Sequence, residues 1–127
     1  MKIDNVGVAV SDAERASVWF SDCLGVPVQR LSSADMLVEL DDQHLYVFET
    51  PTAKAGPPRV SSLEGNEPGL DHISFRVPDV DAAHAELAAR GVEFVEGPVS
   101  KPDWGLRIAA FVDPDRNLYF LIKSLDE

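Results

Sequence analysis

The stretch DHISFRVPD, residues 71–79, decides the fold because it repeats an earlier stretch of the same chain. It aligns with DNVGVAVSD, residues 4–12, at a shift of 67 positions. Apolar and polar residues alternate in both stretches, which predicts a strand. Ser11 or Asp12 can cap the helix that follows the first stretch, and Asp79 or Asp81 can cap the helix that follows the second. The chain is therefore predicted to contain two copies of one structural module.

Further landmarks recur in the same order. In each copy a helical pattern follows the first strand and stops at a Gly-Val pair, Gly25-Val26 and then Gly91-Val92. Later, Asn117-Leu118-Tyr119 matches His44-Leu45-Tyr46 at a shift of 73, and we assign the larger shift to a longer loop at Pro98–Gly105. Three strands are predicted after each helix, so each copy has the order βαβββ.

These patterns predict an α+β fold in one domain, residues 1–127, built from two βαβββ modules in tandem. Each module is expected to form a curved mixed sheet with one helix. Module one covers residues 1–50 and module two covers residues 70–127. Residues 51–69 are rich in Pro, Gly and Ser and show no period, which indicates a linker. We expect the two sheets to curl toward each other and form a cup for a ligand.

The charge balance narrows the classes of partner. Twenty-two acidic residues against 11 Lys and Arg give a formal net charge of −11. Such a chain is not expected to bind nucleic acid or an anionic membrane surface, because both require clustered basic residues. No apolar run is long enough to span a bilayer, and no leader-like segment opens the sequence. The single cysteine, Cys23, leaves no intrachain disulfide and favours a cytoplasmic location.

Three segments together resemble the vicinal oxygen chelate superfamily: VGVAVSDAERASVWFSDCLGV (6–26), LDHISFRVPDVDAAHAELAARGVEF (70–94) and WGLRIAAFVDPDRNLYFL (104–121). That superfamily includes glyoxalase I, extradiol dioxygenases, fosfomycin-resistance enzymes, methylmalonyl-CoA epimerase and the bleomycin-resistance proteins. The resemblance implies the cup-shaped fold, a homodimer, and a divalent metal held in the cup by the opening and closing strands of each copy.

The family's metal positions are only partly kept. The opening strands commonly supply His, and this chain has His72 in the second copy but Asn5 in the first. The closing strand of the family reads DPDGN-x-x-E, whereas this chain reads DPDRN followed by Leu, Tyr and Phe120, so Phe120 stands at the carboxylate position. Asn is a poor ligand for zinc, iron or nickel, and Phe cannot coordinate a metal.

The remaining position depends on the alignment of the two copies. At a shift of 73, Val47 is the counterpart of Phe120, and Glu49 lies two residues further along the same strand face. Glu49 would then line the cup with His72, which gives two donors where catalytic sites use three. We therefore predict no catalytic metal, while a weakly held divalent metal at His72 and Glu49 stays open.

The sequence leaves three functions open. The first is a glyoxalase/bleomycin-resistance-like protein that binds a small, partly aromatic molecule in the cup without a metal. Its predicted ligand-binding residues are Asn5, Val47, Arg76, Trp104 and Phe120. The second is a lyase, isomerase or epimerase in which His72 is the base and Glu49 assists. A third reading is a non-catalytic module whose cup is filled. Ordinary structural roles also remain open, such as a hydrogen-bonded strand histidine at position 72 or a core-capping Trp104.

Overall fold

The computed structural model describes residues 1–50 and 58–127, and the chain divides into two units, Met1–Lys54 and Ala55–Glu127. Each unit contains one βαβββ module, so the predicted α+β duplication is confirmed. The elements of the first unit are β1 (Asn5–Val10), α1 (Ala13–Val18), β2 (Val28–Arg30), β3 (Asp35–Glu39) and β4 (His44–Glu49). Those of the second are β5 (His72–Arg76), α2 (Val80–Ala89), β6 (Glu93–Lys101), β7 (Leu106–Val112) and β8 (Leu118–Ser124).

Both sheets have the same connectivity. The order is β1-β4-β3-β2 in the first and β5-β8-β7-β6 in the second. In each sheet the edge strand that precedes the helix runs parallel to its neighbour, β1 to β4 and β5 to β8. The other strand pairs are antiparallel. Each module is therefore a mixed four-stranded sheet, as the repeat predicts.

The two helices begin in the same way. The carboxylate of Asp12 accepts the N–H of Arg15, and the carboxylate of Asp79 accepts the N–H of Ala82. Both aspartates are extended, as N-cap residues are. α1 continues as a π-helical turn, Trp19–Cys23, before the chain leaves the helix. These equivalent caps fix the shift of 67 between the opening halves of the modules.

One face of each sheet is covered by the helix of its own module. In sheet one, Leu45 and Val47 are buried on this face together with Ala13 of α1. In sheet two, Phe75, Phe111 and Tyr119 stack in parallel there, with ring centroids 5.3–6.5 Å apart. The opposite face of each sheet is therefore the one that can present side chains to a ligand.

The pairing register corrects the alignment of the closing strands. Asn5 pairs with His44, and its counterpart His72 pairs with Leu118, so β4 and β8 are related by a shift of 74. The predicted shift of 73 was wrong by one residue. Four residues, 40–43, join β3 to β4, whereas five, 113–117, join β7 to β8. Neighbouring residues of a strand point to opposite faces of the sheet. A shift that is wrong by one residue therefore assigns every residue of β4 to the wrong face.

Part of the predicted linker has a defined structure. Residues 51–57 lie outside the described residues, but from residue 58 onward the chain forms turns that belong to the second unit. Asn66 closes one of them, since its side chain accepts the N–H of Val60 and donates to the carbonyl of the same residue. Arg59 donates to the carbonyl of Glu67.

Across residues 1–50 and 58–127, neither helix is long and apolar enough to cross a membrane.

Candidate functional site

A pocket of about 280 Å³ opens on the face of sheet two that α2 does not cover. His72 and Ser74 of β5 are its polar lining residues. The rest of the lining is apolar or aromatic: Leu63, Trp104, Leu106, Ile108, Phe120 and Ile122. This volume lies just below the usual range for ligand pockets, about 300–1,000 Å³, and a mostly apolar lining with few polar groups is typical of them.

Phe120 forms the centre of this face. It lies beside Ser74 on β5 and opposite Ala110 on β7, and it is only 2% exposed. Together with Ile108, Leu118 and other apolar residues of the same face it forms a continuous hydrophobic cluster. The position at which the family pattern has a carboxylate is therefore an apolar, well-packed surface.

His72 is held between an acid and an aromatic ring. Its Nδ1 lies 2.6 Å from Oδ2 of Asp71, and its ring meets the ring of Phe120 edge-on with centroids 4.6 Å apart. Among the described residues, Nε2 has no hydrogen-bond partner. Because Nδ1 is engaged and His72 lines the pocket, Nε2 is the ring nitrogen left to meet a ligand.

Asp71 connects His72 to the turns that precede β5. Its other oxygen, Oδ1, accepts from Nδ2 of Asn66 at 2.8 Å and from Nη1 of Arg59 at 3.3 Å. Burial alone would raise the pKa of Asp71, but hydrogen bonds from His72 and Asn66 and the charges of His72 and Arg59 together lower it. At neutral pH the carboxylate is therefore ionised and accepts the proton on Nδ1.

Trp104 lies at the rim of the pocket. It ends a short 3₁₀ turn, Pro102–Trp104, that follows β6. Its ring meets that of Phe120 at 69° with centroids 6.3 Å apart, and Nζ of Lys101 lies 5.6 Å from its ring centroid. Trp104 is 38% exposed. The structure thus brings His72, Trp104 and Phe120, three of the predicted site residues, into one pocket.

Two other predicted residues lie outside this lining. Arg76 shares the face of His72 on β5, but its guanidinium is exposed and pairs with Oε1 of Glu127 at 3.3 Å. Asn5 is exposed on β1, and its amide donates to Oδ2 of Asp4 at 2.8 Å. Both side chains are thus tied to local carboxylates.

Val47 and Glu49 lie on the helix-covered face of sheet one. Val47 is fully buried there, and Oε1 of Glu49 accepts the N–H of Ala13, the first residue of α1, at 3.2 Å. Their predicted placement on the ligand-facing side is wrong because of the register difference described above. Glu49 instead satisfies one of the amide groups that a helix leaves unpaired at its N-terminus.

Tyr46 is the true counterpart of Phe120. It pairs with Gly7 on β1, and its hydroxyl donates to Oδ2 of Asp35 at 2.8 Å. Hydrogen bonds from Ser32 and Tyr46 lower the pKa of Asp35, and the bond to Asp35 raises the pKa of Tyr46. The hydroxyl is therefore committed as a donor to a neighbouring strand.

The side chains at the superfamily's metal-binding positions do not fit the divalent metal that the resemblance implies. The four equivalent positions are occupied by Asn5, Tyr46, His72 and Phe120, of which only His72 is a good ligand for a transition metal. Among the described residues no three His, Cys, Asp or Glu side chains are grouped closely enough to hold a metal ion.

Comparison with known proteins identifies the family. Residues 2–119 match the model of the Glyoxalase/Bleomycin resistance protein/Dioxygenase superfamily. The chain belongs to this superfamily. It is 31% identical to the protein YraH of Bacillus subtilis (strain 168) over 130 residues, covering 98% of this chain and 100% of that protein.

Solved structures agree with this superfamily fold. The crystal structure of SMU.1112c is similar over 97% of this chain and 98% of its own, with a TM-score of 0.74 and 26% identity. A glyoxalase family protein from Enterococcus faecalis is similar over 96% of this chain and 97% of its own, with a TM-score of 0.74 and 24% identity. The second of these supports the fold alone.

The sequence did not predict the positions of several residues at or near the site. Asp71 precedes His72 directly, but the sequence does not show that its carboxylate turns toward the imidazole. Leu63 lies in the stretch interpreted as linker. Tyr46 was displaced by one position in the alignment, and only the lengths of the two turns, 40–43 and 113–117, could have revealed it.

Proposed function

We propose that this superfamily member binds a small, partly aromatic molecule in the pocket of module two, without a catalytic metal. The observation that carries the proposal is Phe120, which stands at the family's carboxylate position and forms an apolar surface flanked by His72 and Trp104. Aromatic rings favour edge-to-face contacts of the kind that these side chains already make with one another.

A thermal-shift screen of aromatic natural products on metal-free protein tests this proposal. A ligand that binds the folded state raises the melting temperature by mass action. Ser74→Phe, which fills the pocket from an exposed strand position, should abolish the shift. Ser100→Phe, the same change on the opposite face of the sheet, is the matched control and should retain it. Absence of any shift from such compounds, with turnover of a glyoxalase-type substrate instead, would reject the proposal.

A second candidate is a lyase, isomerase or epimerase that uses His72 as a base. It is favoured by the short contact between Nδ1 of His72 and Asp71, because a carboxylate at this position orients an imidazole and stabilises its protonated form. Glu49 is not available as an assisting group, since it contacts the N-terminus of α1. Once a substrate is found, unchanged turnover by His72→Ala would exclude this mechanism.

We also propose that the protein acts as a cytoplasmic homodimer, as the family resemblance predicts. Light scattering on the purified protein should give twice the chain mass of 13.9 kDa. A monomer mass at micromolar concentration would contradict the dimer.

A further inference from the structure

The hydrogen bond between His72 and Asp71 fixes more than the position of the imidazole ring. A neutral histidine carries one N–H, and the nitrogen that carries it is set by the partner of the ring. Asp71 is an ionised acceptor held by Asn66 and Arg59, so the proton lies on Nδ1. Nε2 of the neutral ring is consequently a hydrogen-bond acceptor.

The other polar lining residue does not distinguish donors from acceptors. The hydroxyl of Ser74 can both donate and accept, so it tolerates either type of ligand group. Trp104 carries an indole N–H, which only donates, and the remaining lining residues are apolar or aromatic. The neutral ring of His72 is therefore the lining group that only accepts at its pocket nitrogen.

We infer that the pocket selects neutral aromatic compounds carrying a hydroxyl group, of the phenol or naphthol type, and that Nε2 of His72 accepts the hydroxyl proton. This inference rests on the proposed function and adds the chemical class of the ligand. An aromatic ether presents only a lone pair to Nε2, and an aromatic carboxylate likewise presents only acceptors. Asp71 is a positioning residue that sets the direction of the hydrogen bond.

Three naphthalenes of similar size test the inference by calorimetric titration at pH 8. We expect 2-naphthol to bind about tenfold more tightly than 2-methoxynaphthalene, since one well-formed hydrogen bond contributes about this factor. 2-Naphthoate should bind no better than the ether. Equal affinities for naphthol and ether, or tightest binding of naphthoate, would overturn the inference.

Variants assign the effect to the pair of residues. His72→Phe keeps a ring but removes the acceptor, so the preference for naphthol should disappear. Asp71→Asn can donate to Nδ1 and so move the ring proton to Nε2, and it should also remove the preference. Arg76→Ala changes a side chain on the strand face of His72 that pairs with Glu127 outside the pocket lining, and it should keep the preference. A full preference in Asp71→Asn would contradict the positioning role.

The outcomes separate the two proposals. If the ether and naphthol bind equally well, module two binds aromatic molecules and only the inference about the hydroxyl group fails. If none of the three compounds binds and no compound of the aromatic screen shifts the melting temperature, the proposed function fails and the inference fails with it.

Discussion

The uncovered faces of the two sheets share a backbone plan and differ in chemistry. Tyr46 and Phe120 occupy equivalent positions in the closing strands of their modules. Tyr46 is half-buried and its hydroxyl is bonded to Asp35, whereas Phe120 is almost fully buried and Ile108 stands where Asp35 stands in the first module. The duplication therefore fixes where side chains point, while single replacements decide whether a face carries a polar network or an apolar pocket.

The largest expected effect distinguishes these equivalent positions. Phe120→Ala should lower the free energy of unfolding by about 3–5 kcal/mol, because it removes a large buried ring from a packed cluster. Tyr46→Ala should cost about 1–2 kcal/mol, since it removes a half-buried ring and one hydrogen bond. Urea titrations of both variants measure the difference. Equal losses would contradict the contrast between the two faces.

The next comparison concerns the turns that set the register. Asp113 is buried at the start of the five-residue turn and accepts from the N–H groups of Asp115 and Asn117, from the Asn117 amide and from the Tyr119 hydroxyl. Asp113→Ala should cost about 2–3 kcal/mol, because it leaves several of these donors unsatisfied.

Asp42, in the exposed four-residue turn of module one, supplies the control for this substitution. Asp42→Ala should stay within about 0.5 kcal/mol of wild type in the same urea titration. A comparable loss in both turns would show that the longer turn has no special structural role.

A smaller effect separates a structural from a functional role for Glu49. Glu49→Ala removes the acceptor for the N–H of Ala13 and should cost about 1 kcal/mol of unfolding free energy. Its counterpart on β8, Lys123, serves as the control, and Lys123→Ala should change little. The affinity of Glu49→Ala for an aromatic ligand should equal that of wild type. A marked loss of affinity would restore the predicted role of Glu49 at the ligand.

The smallest effect is a gain in stability. Arg116 has a φ of +70°, a conformation that favours glycine, and the family pattern has glycine at this position. Arg116→Gly should raise the free energy of unfolding by about 0.5 kcal/mol, after loss of the exposed ion pair with Glu93. Arg116→Ala loses the ion pair and keeps the strained conformation, so it should give no gain. Stabilisation by Arg116→Ala would contradict this account of the turn.

The sequence was sufficient for the module order and the βαβββ repeat, and it limited each helix cap to two candidate residues, because alternation, capping residues and glycines are local signals. Three residues that it singled out, His72, Trp104 and Phe120, line the pocket of module two. It failed at Val47 and Glu49 because a strand has a period of two, and one extra residue in a turn exchanges its faces. Asp71 and Leu63 could not be predicted, since their roles depend on how a turn-rich segment folds back onto β5.

Module two is expected to bind an aromatic ligand without a metal, and titration calorimetry tests this binding most directly. Protein dialysed against a chelator is titrated with 2-naphthol, and the titration is repeated after addition of zinc, manganese or nickel. We expect one site per chain and the same affinity in every case. Binding that disappears in the chelated protein and returns with a metal would contradict the claim.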